Sequence, residues 1–464
     1  MIKVFFINLG CHKNLVDSEA ILGSLEQNGI TISPDAESSG ILILNTCAFI
    51  ESAKEEAIDT IISLADLKKL DPKKKIVVIG CLVQRYKNSL IKEMPEVDTW
   101  ISLDEIPKIP GIIKKLAHNK IIESQNIKSA PSTYLYDGKG PRHLITPSPY
   151  AYIKIAEGCD NRCSYCAVPL IKGNFRSRRM GSILREADSL THGDAREINL
   201  IAQDTTSYGK DLSPKQNIAA LLNKLCGIEN IRWIRLLYAH PAHITDELID
   251  EMATQTKICK YIDIPLQHIN NRILKQMGRK ITKERIREVI EKIRLKIPSV
   301  ILRTTFIVGF PGETKREFQE LLDFVKEIKF ERLGVFKYSR EEDTPAYKMK
   351  NQIPEDIKEE RFHTIMKAQK KIAARAQKSF VGRTLEVLIE GVSESKPSMW
   401  YGRSYADAPD VDGVIYISNG KTLKKGDIIA VKIIKAIGYD LVGEKNKLQT
   451  ANIKHPNKPQ IKIR

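Results

Sequence analysis

Two stretches of this sequence alternate short apolar runs with amphipathic segments of helical spacing, and that alternation restricts the fold more than any other feature. In the first, to about residue 125, Lys3–Asn8, Gly40–Asn45 and Lys75–Ile79 read as strands, and Leu15–Asn28 and Ala53–Leu70 as helices. In the second, the expected strands are Tyr152–Ala156, Glu197–Ala202, Trp233–Tyr238, Tyr261–Pro265, Leu302–Val308 and Leu333–Tyr338, with helical patterns between them such as Lys283–Leu295 and Lys315–Ile328. Strands that alternate with helices pair in parallel, and the helices cover the sheet. The chain is therefore expected to be α/β, with an N-terminal parallel-sheet domain. Six strand–helix units in the second stretch predict a partial, TIM-like (βα)6 barrel, and an open doubly wound sheet is the competing arrangement.

The pattern then changes. A basic amphipathic helix is expected over Pro354–Lys378. Beyond it, Leu385–Ile389, Val414–Ile417 and Ile428–Ile434 read as short strands, broken by Gly382, Gly391, Gly402, Gly413, Gly420 and Gly426. Short alternating strands between glycine breaks predict a small β-barrel. Residues 129–150 carry Pro131, Gly138, Gly140, Pro141, Pro147 and Pro149, which is linker chemistry. The expected domains are 1–125, a linker at 126–144, a core at 145–376, a small barrel at 377–450 and a basic tail at 451–464, expected to be disordered. A length of 464 residues agrees with about three domains.

Composition excludes several classes. Eight cysteines in a chain this long are too few for a secreted disulfide scaffold. The opening run Met1–Gly10 reads as a first strand and not as a signal peptide. No apolar run approaches the roughly 18 residues of a membrane span. A reducing, cytoplasmic location is expected, where cysteines bind metal or do chemistry. The formal charge of +17 suits acidic partners such as RNA or the ribosome, although lysines that merely solvate helix faces would give the same sum.

Three cysteines, Cys159, Cys163 and Cys166, follow the first strand of the second stretch with the spacing C-x3-C-x2-C. Three thiolates within so few residues can reach one metal centre. Three is one short of the four that close a structural zinc or a four-iron cluster, and an iron without a fourth protein ligand can bind substrate. A zinc knuckle completed by His143 or His240 is the alternative. Cys11, Cys47 and Cys81 are far apart in sequence, yet each follows an expected strand. If those strands are parallel, the three thiols share the carboxyl edge of one sheet, where open α/β sheets bind ligands. A second three-cysteine cluster follows, against the plainer reading of three buried cysteines. Cys226 and Cys259 have no metal spacing and read as core or incidental.

The segment Glu157-Gly-Cys-Asp-Asn-Arg-Cys-Ser-Tyr-Cys-Ala-Val-Pro169 resembles the signature of the radical S-adenosylmethionine superfamily. That resemblance implies a [4Fe-4S] cluster whose open iron chelates S-adenosylmethionine, reductive cleavage of that cofactor to a 5′-deoxyadenosyl radical, and a six-unit partial barrel. It also implies that the fifth strand contacts the adenine, where Gly309 and Gly312 of Phe306-Ile-Val-Gly-Phe-Pro-Gly-Glu313 would let the backbone approach closely. Tyr165, between two ligands, is expected to pack near the cofactor. No catalytic residue is assigned beyond the cluster ligands.

The second cysteine trio and the terminal barrel make the whole chain similar to the methylthiotransferase branch of that superfamily, whose barrel is called a TRAM domain. The resemblance implies a second [4Fe-4S] cluster at Cys11, Cys47 and Cys81 that delivers a methylthio group, with the Cys159 cluster making the radical. The branch modifies tRNA, or the β-carbon of an aspartate in the twelfth protein of the small ribosomal subunit. Leu200-Ile-Ala-Gln-Asp-Thr-Thr-Ser-Tyr-Gly209, with Asp204 where tRNA enzymes usually show asparagine, and Tyr261-Ile-Asp-Ile-Pro-Leu-Gln-His268 resemble the protein-modifying members. In Tyr401–Gly413, Asp407, Asp410 and Asp412 put negative charge on the expected recognition loop, and an acidic loop repels phosphate and attracts basic protein. Turn-forming Asx residues would give the same sequence. The expected partners are that ribosomal protein, free or within its subunit, and a reducing electron donor, with the enzyme a monomer. A tRNA methylthiotransferase and a non-catalytic iron–sulfur RNA-binding or redox protein are the alternatives.

Overall fold

In the computed structural model, which describes residues 1–119, 130–146, 149–418 and 423–446, the strand β3 (Ile41–Thr46) is buried along its whole length. Such a strand has helices on both of its faces, as central strands of parallel sheets do. It pairs in parallel with β1 (Lys3–Asn8) on one side and β4 (Lys75–Gly80) on the other. With β2 (Thr31–Ser33) and β5 (Thr99–Ile101) the sheet order is β2-β1-β3-β4-β5, all parallel. The covering helices are α1 (His12–Gln27), α2 (Glu51–Leu70), α3 (Cys81–Glu93) and α4 (Ile109–Ala117). Val4, Ile41–Leu44, Ile76–Ile79 and Trp100 form the core with Ile21, Leu25 and Ile61 from the helices.

The second sheet begins at β6 (Tyr150–Lys154). A short antiparallel pair, β7 (Ala156–Glu157) and β8 (Arg176–Ser177), flanks the cysteine loop and the helix α5 (Val168–Lys172). The remaining strands are β9 (Glu197–Ile201), β10 (Trp233–Leu236), β11 (Ile258–Asp263), β12 (Ile301–Val308) and β13 (Arg332–Lys337). They pair in parallel in the order β13-β12-β11-β10-β9-β6. Strand order follows chain order throughout, so every connection turns the same way and the six units form the partial barrel expected from the sequence, not a doubly wound sheet. Strand β11 starts three residues before the expected segment, so Cys259 lies inside it and is buried.

The chain divides into two units, Met1–Gln369 and Lys370–Arg464. The second contains a closed barrel of β14 (Thr384–Val392), β15 (Trp400–Arg403), β16 (Ile415–Ser418), β17 (Ile428–Ile437) and β18 (Asp440–Lys445), in the order β14-β15-β16-β18-β17. Inward residues alternate along the strands: Leu385, Val387 and Ile389; Ile415 and Ile417; Val431 and Ile433. Closure leaves no open edge.

Residues 130–146 form no helix or strand, as linker chemistry predicts, but they are tied down. Arg142 pairs with buried Glu19 of α1 and, at 2.7 Å, with Glu186. Ser132 donates to Asp104 at 3.0 Å and Gln84 donates to Ala130 O at 2.8 Å. Residues 126–129 and Pro147 of the expected linker, Gly420 and the tail expected at 451–464 lie outside the described residues.

Candidate metal centres

In the first sheet the strand order reverses at β1, which lies between β2 and β3. Ligands of open α/β sheets bind outside the carboxyl ends of strands at such a switch point. Cys11 follows β1, Cys47 follows β3, and Cys81 opens α3 directly after β4. The three strand ends converge. Gly10 has φ 93°, and a Cβ there would lie 2.7 Å from Cys47 Cβ, so glycine is what lets the end of β1 rest against Cys47. Asn14, in the first turn of α1, donates to Thr46 O at 2.9 Å and accepts from the Cys81 thiol at 3.6 Å. Burial, with the charge of Cys11, pushes the Cys47 thiol up to about 11. Burial outweighs the field of Lys172 and pushes Cys81 up to about 12.

The second trio sits beyond the carboxyl end of β6, the face on which barrels of this kind build their sites. Cys159 N donates to Gly173 O at 3.1 Å, and Cys166 N to Cys163 O at 3.1 Å. Arg279, buried, donates to Cys163 Sγ at 3.7 Å and to Pro265 O at 2.5 Å, which ties the cysteine loop to the end of β11. Burial pushes Cys159 up to about 11 and Cys166 up to about 12. Such thiols stay neutral without a metal, and bound iron stabilises their thiolates. All six cysteines are free. This donor chemistry fits two clusters that each keep one iron without a protein ligand.

A buried ion group lies between the trios. Lys154 of β6 pairs with Asp17 of α1 and, at 2.6 Å, with Glu157 of β7, two residues before Cys159. Lys172 of α5 lies 3.5 Å from both carboxylates. Gln203 donates to the other Glu157 oxygen at 2.6 Å. Burial alone would raise the Glu157 carboxyl, but the two lysines hold it well below the usual carboxylate range. Beside this group, Lys13 Nζ sits 3.3 Å from the centre of the Tyr238 ring. His12 stacks on Tyr152 at 4.2 Å and its Nδ1 lies 3.3 Å from the Tyr238 hydroxyl. The carboxyl edge of the first sheet therefore faces the carboxyl end of the barrel.

Asp204, three residues beyond β9, is buried among donors: Asn161 of the cysteine loop at 2.9 Å, Thr206 at 2.6 Å, Ser207 at 2.9 Å and His243 at 2.7 Å. Those bonds, His243 first, overcome burial and hold its carboxyl low. His240, considered as a fourth ligand for zinc, accepts the Ala242 N–H on Nδ1 at 3.3 Å. Burial and the Arg279 charge depress it to about 2. His143, the other candidate, pairs with Glu26 at 3.0 Å.

Tyr165 packs against Phe310, Tyr338, Ile273 and Met277, the apolar cluster at the end of β12. Gly309 and Gly312 have φ 73° and 77°. The space above Gly309 is filled: a Cβ there would lie 2.3 Å from Lys358 Cγ. Its N–H donates to Glu313, so in this structure the glycine serves a tight turn packed under a lysine stem. Gly312 is more open, with Arg272 Nη1 at 3.9 Å from such a Cβ.

In the small barrel the three aspartates part company. Asp407 is 1% exposed and accepts from Ser404 at 2.9 Å. Asp412 is half-buried and accepts from Ala408 N at 2.9 Å. Asp410 alone is exposed, at φ 66°. Asp407 is thus buried in a turn, whereas Asp412 is partly exposed and Asp410 exposed.

Comparison with known proteins follows this division of the chain. Residues 3–102 match the uncharacterized protein family UPF0004, residues 153–325 the radical SAM superfamily, and residues 381–445 the TRAM domain. The ribosomal protein uS12 methylthiotransferase RimO of Acetivibrio thermocellus is 46% identical over 448 residues, 95% of this chain and 98% of its own. RimO of Desulforamulus reducens is 47% identical over 444 residues, covering 96% of this chain and 99% of the relative. The chain belongs to the RimO family. Among solved structures, the radical S-adenosylmethionine methyltransferase TsrM of Kitasatospora setae aligns with TM-score 0.54 at 13% identity, over 83% of this chain and 81% of that one. The cobalamin-dependent radical enzyme OxsB aligns with TM-score 0.52 at 14% identity, over 80% and 56%. These likenesses show the fold.

Several residues around the trios of this RimO-family chain carry no signal in an apolar-periodicity reading. Asn14, Asp17, Ser18 and Glu19 are polar yet buried on α1. Lys154, Glu157 and Lys172 look like ordinary surface charges in sequence. The usable signal was the run of polar residues at helical spacing directly after Cys11.

Proposed function

We propose that this chain is a radical S-adenosylmethionine methylthiotransferase that inserts a methylthio group at the β-carbon of an aspartate in ribosomal protein uS12. The observation that carries this reading is the placement of two cysteine trios on facing strand-end surfaces, joined through one buried ion group. Cys159, Cys163 and Cys166 would hold one [4Fe-4S] cluster, and Cys11, Cys47 and Cys81 a second. Bound there, the clusters and S-adenosylmethionine supply radical generation and sulfur delivery. The chain itself supplies position. Arg279 anchors Cys163, Asp204 anchors the loop through Asn161, and the contacts of His12 with Tyr152 and Tyr238 hold the two trios in register. The near-full-length identity to relatives named uS12 methylthiotransferases supports the protein substrate.

The domain reading keeps 1–125 as the sulfur-delivering domain, 126–144 as linker, 145–376 as radical core and 377–450 as the TRAM barrel. No helix among the described residues is long and apolar enough to cross a membrane. The enzyme acts as a cytoplasmic monomer supplied by a separate electron donor. The test offers uS12 and tRNA separately to the anaerobically reconstituted, reduced enzyme with S-adenosylmethionine. A mass gain of one methylthio group on uS12 is expected. Modification of tRNA alone would contradict the substrate, and no cleavage of S-adenosylmethionine would contradict the enzyme class.

A further inference from the structure

Cysteines aside, the charged side chains gathered between the trios do not balance. Lys13, Lys154 and Lys172 contribute three positive charges, while Asp17 and Glu157 contribute two negative ones. Both carboxylates are taken: Asp17 by Lys154 and Lys172, and Glu157 by the same two lysines and Gln203. Lys13 is left over. Among the described residues it forms no ion pair, and its ammonium rests on an aromatic face 3.3 Å away. An ammonium on a ring face retains hydrogen-bond capacity for an anion, because the ring takes up only one side of it.

The ring beneath it is held under strain. Tyr238 has φ 61°, a left-handed conformation that a bulky residue adopts only when its surroundings enforce it. Its N–H donates to Asp263 Oδ2 at 3.0 Å, and Asp263 Oδ1 is fixed by Arg303 at 3.0 Å. Its hydroxyl lies 3.3 Å from His12 Nδ1. This strained residue stands just beyond the carboxyl end of β10, on the face where such barrels build their sites. It carries Lys13, two residues after Cys11, to that face. Lys13 and Tyr238 are both half-buried.

We propose that Lys13 is the residue that holds the carboxylate of the substrate aspartate. The proposal rests on the proposed function and adds a specificity residue to it. An aspartate β-carbon is bonded directly to its carboxylate carbon, so a cation that fixes the carboxylate fixes the reacting carbon. Lys13, beside Cys11 and over the barrel mouth, fixes it between the sulfur-delivering and radical-forming trios.

The test measures binding of uS12, and of uS12 with its target aspartate replaced by asparagine, to the reconstituted enzyme. The parent enzyme is expected to prefer aspartate by on the order of tenfold or more, the range of a charge-assisted contact. Lys13→Met and Lys13→Gln remove that preference by weakening the aspartate form and sparing the asparagine form, whereas Lys13→Arg retains part of it. Iron content of each variant is measured alongside, and either neutral variant that loads iron suffices. Should Lys13 instead only offset cluster charge, both substrate forms weaken equally in the neutral variants, and the proposal is overturned. It is also overturned if the parent shows no preference, or if a neutral variant keeps it. If the parent enzyme modifies no uS12 at all, the functional reading fails and the anchor falls with it. If it modifies uS12 without regard to Lys13, only the anchor falls.

Discussion

Lys172 Nζ lies 3.5 Å from Asp17 and the same distance from Glu157, buried and, among the described residues, without a hydrogen-bond partner. Its shorter-bonded neighbour Lys154 meets the same two acids. One pair of lysines thereby ties α1 of the first sheet to the strand that leads into Cys159.

Removing one partner of a buried ion group leaves the others uncompensated. Lys154→Met is therefore expected to destabilise the reconstituted protein by roughly 3–5 kcal/mol. Lys172→Met, which breaks longer contacts, should cost less. Denaturant unfolding of both variants checks this order, and equal or negligible losses would mean that the acids find other partners.

Glu313 sets a pH dependence. Burial raises its carboxyl from 4.5 to about 7, against the pull of Arg361 and the Gly309 and Phe310 amides. Between those values the folded protein keeps a proton that the unfolded chain releases. Stability from this group is complete below about pH 4.5 and falls as pH rises through about 7, by about 3 kcal/mol. Glu313→Gln keeps an acceptor for the two amides and should flatten this slope, so unfolding at pH 5 and pH 8 distinguishes the variant from the parent.

His240 adds a slope of opposite sign. Its depressed value of about 2 means that the folded state stays neutral where the unfolded state, at 6.5, binds a proton. Stability is full above about pH 6.5 and is lost as pH falls. His240→Gln should retain more of its stability at pH 5 than the parent does, relative to each protein at pH 7.

The barrel aspartates should separate. Asp407→Ala removes the acceptor of the Ser404 hydroxyl and should cost about 1–3 kcal/mol. Asp410→Asn, at an exposed position with φ 66° that asparagine tolerates, should leave stability within about 0.5 kcal/mol. Weaker uS12 binding by Asp410→Asn would assign recognition to that one residue, and unchanged binding would make it a turn residue.

The strands that position both trios were legible because they are apolar and bounded by helical patterns: β1 was read at its observed limits, and β3 and β4 within one residue. The three-residue strands β2 and β5 were not, since so short a run carries no period. Strand β15 overlaps the start of Tyr401–Gly413, which reads as a loop because of its aspartates. The cysteine spacing located the metal donors, but Lys13, Asp17 and Tyr238 were invisible. A polar residue buried by partners from another sheet has the same sequence signature as one in water, and a left-handed tyrosine has none.

The most direct test of the account compares two triple variants, Cys11→Ala/Cys47→Ala/Cys81→Ala and Cys159→Ala/Cys163→Ala/Cys166→Ala, by iron content, S-adenosylmethionine cleavage and uS12 modification. Each should retain about half of the iron of the parent, as two four-iron clusters require. The first should still cleave the cofactor measurably yet transfer no methylthio group, and the second should do neither. Full methylthio transfer by the first variant would contradict the account.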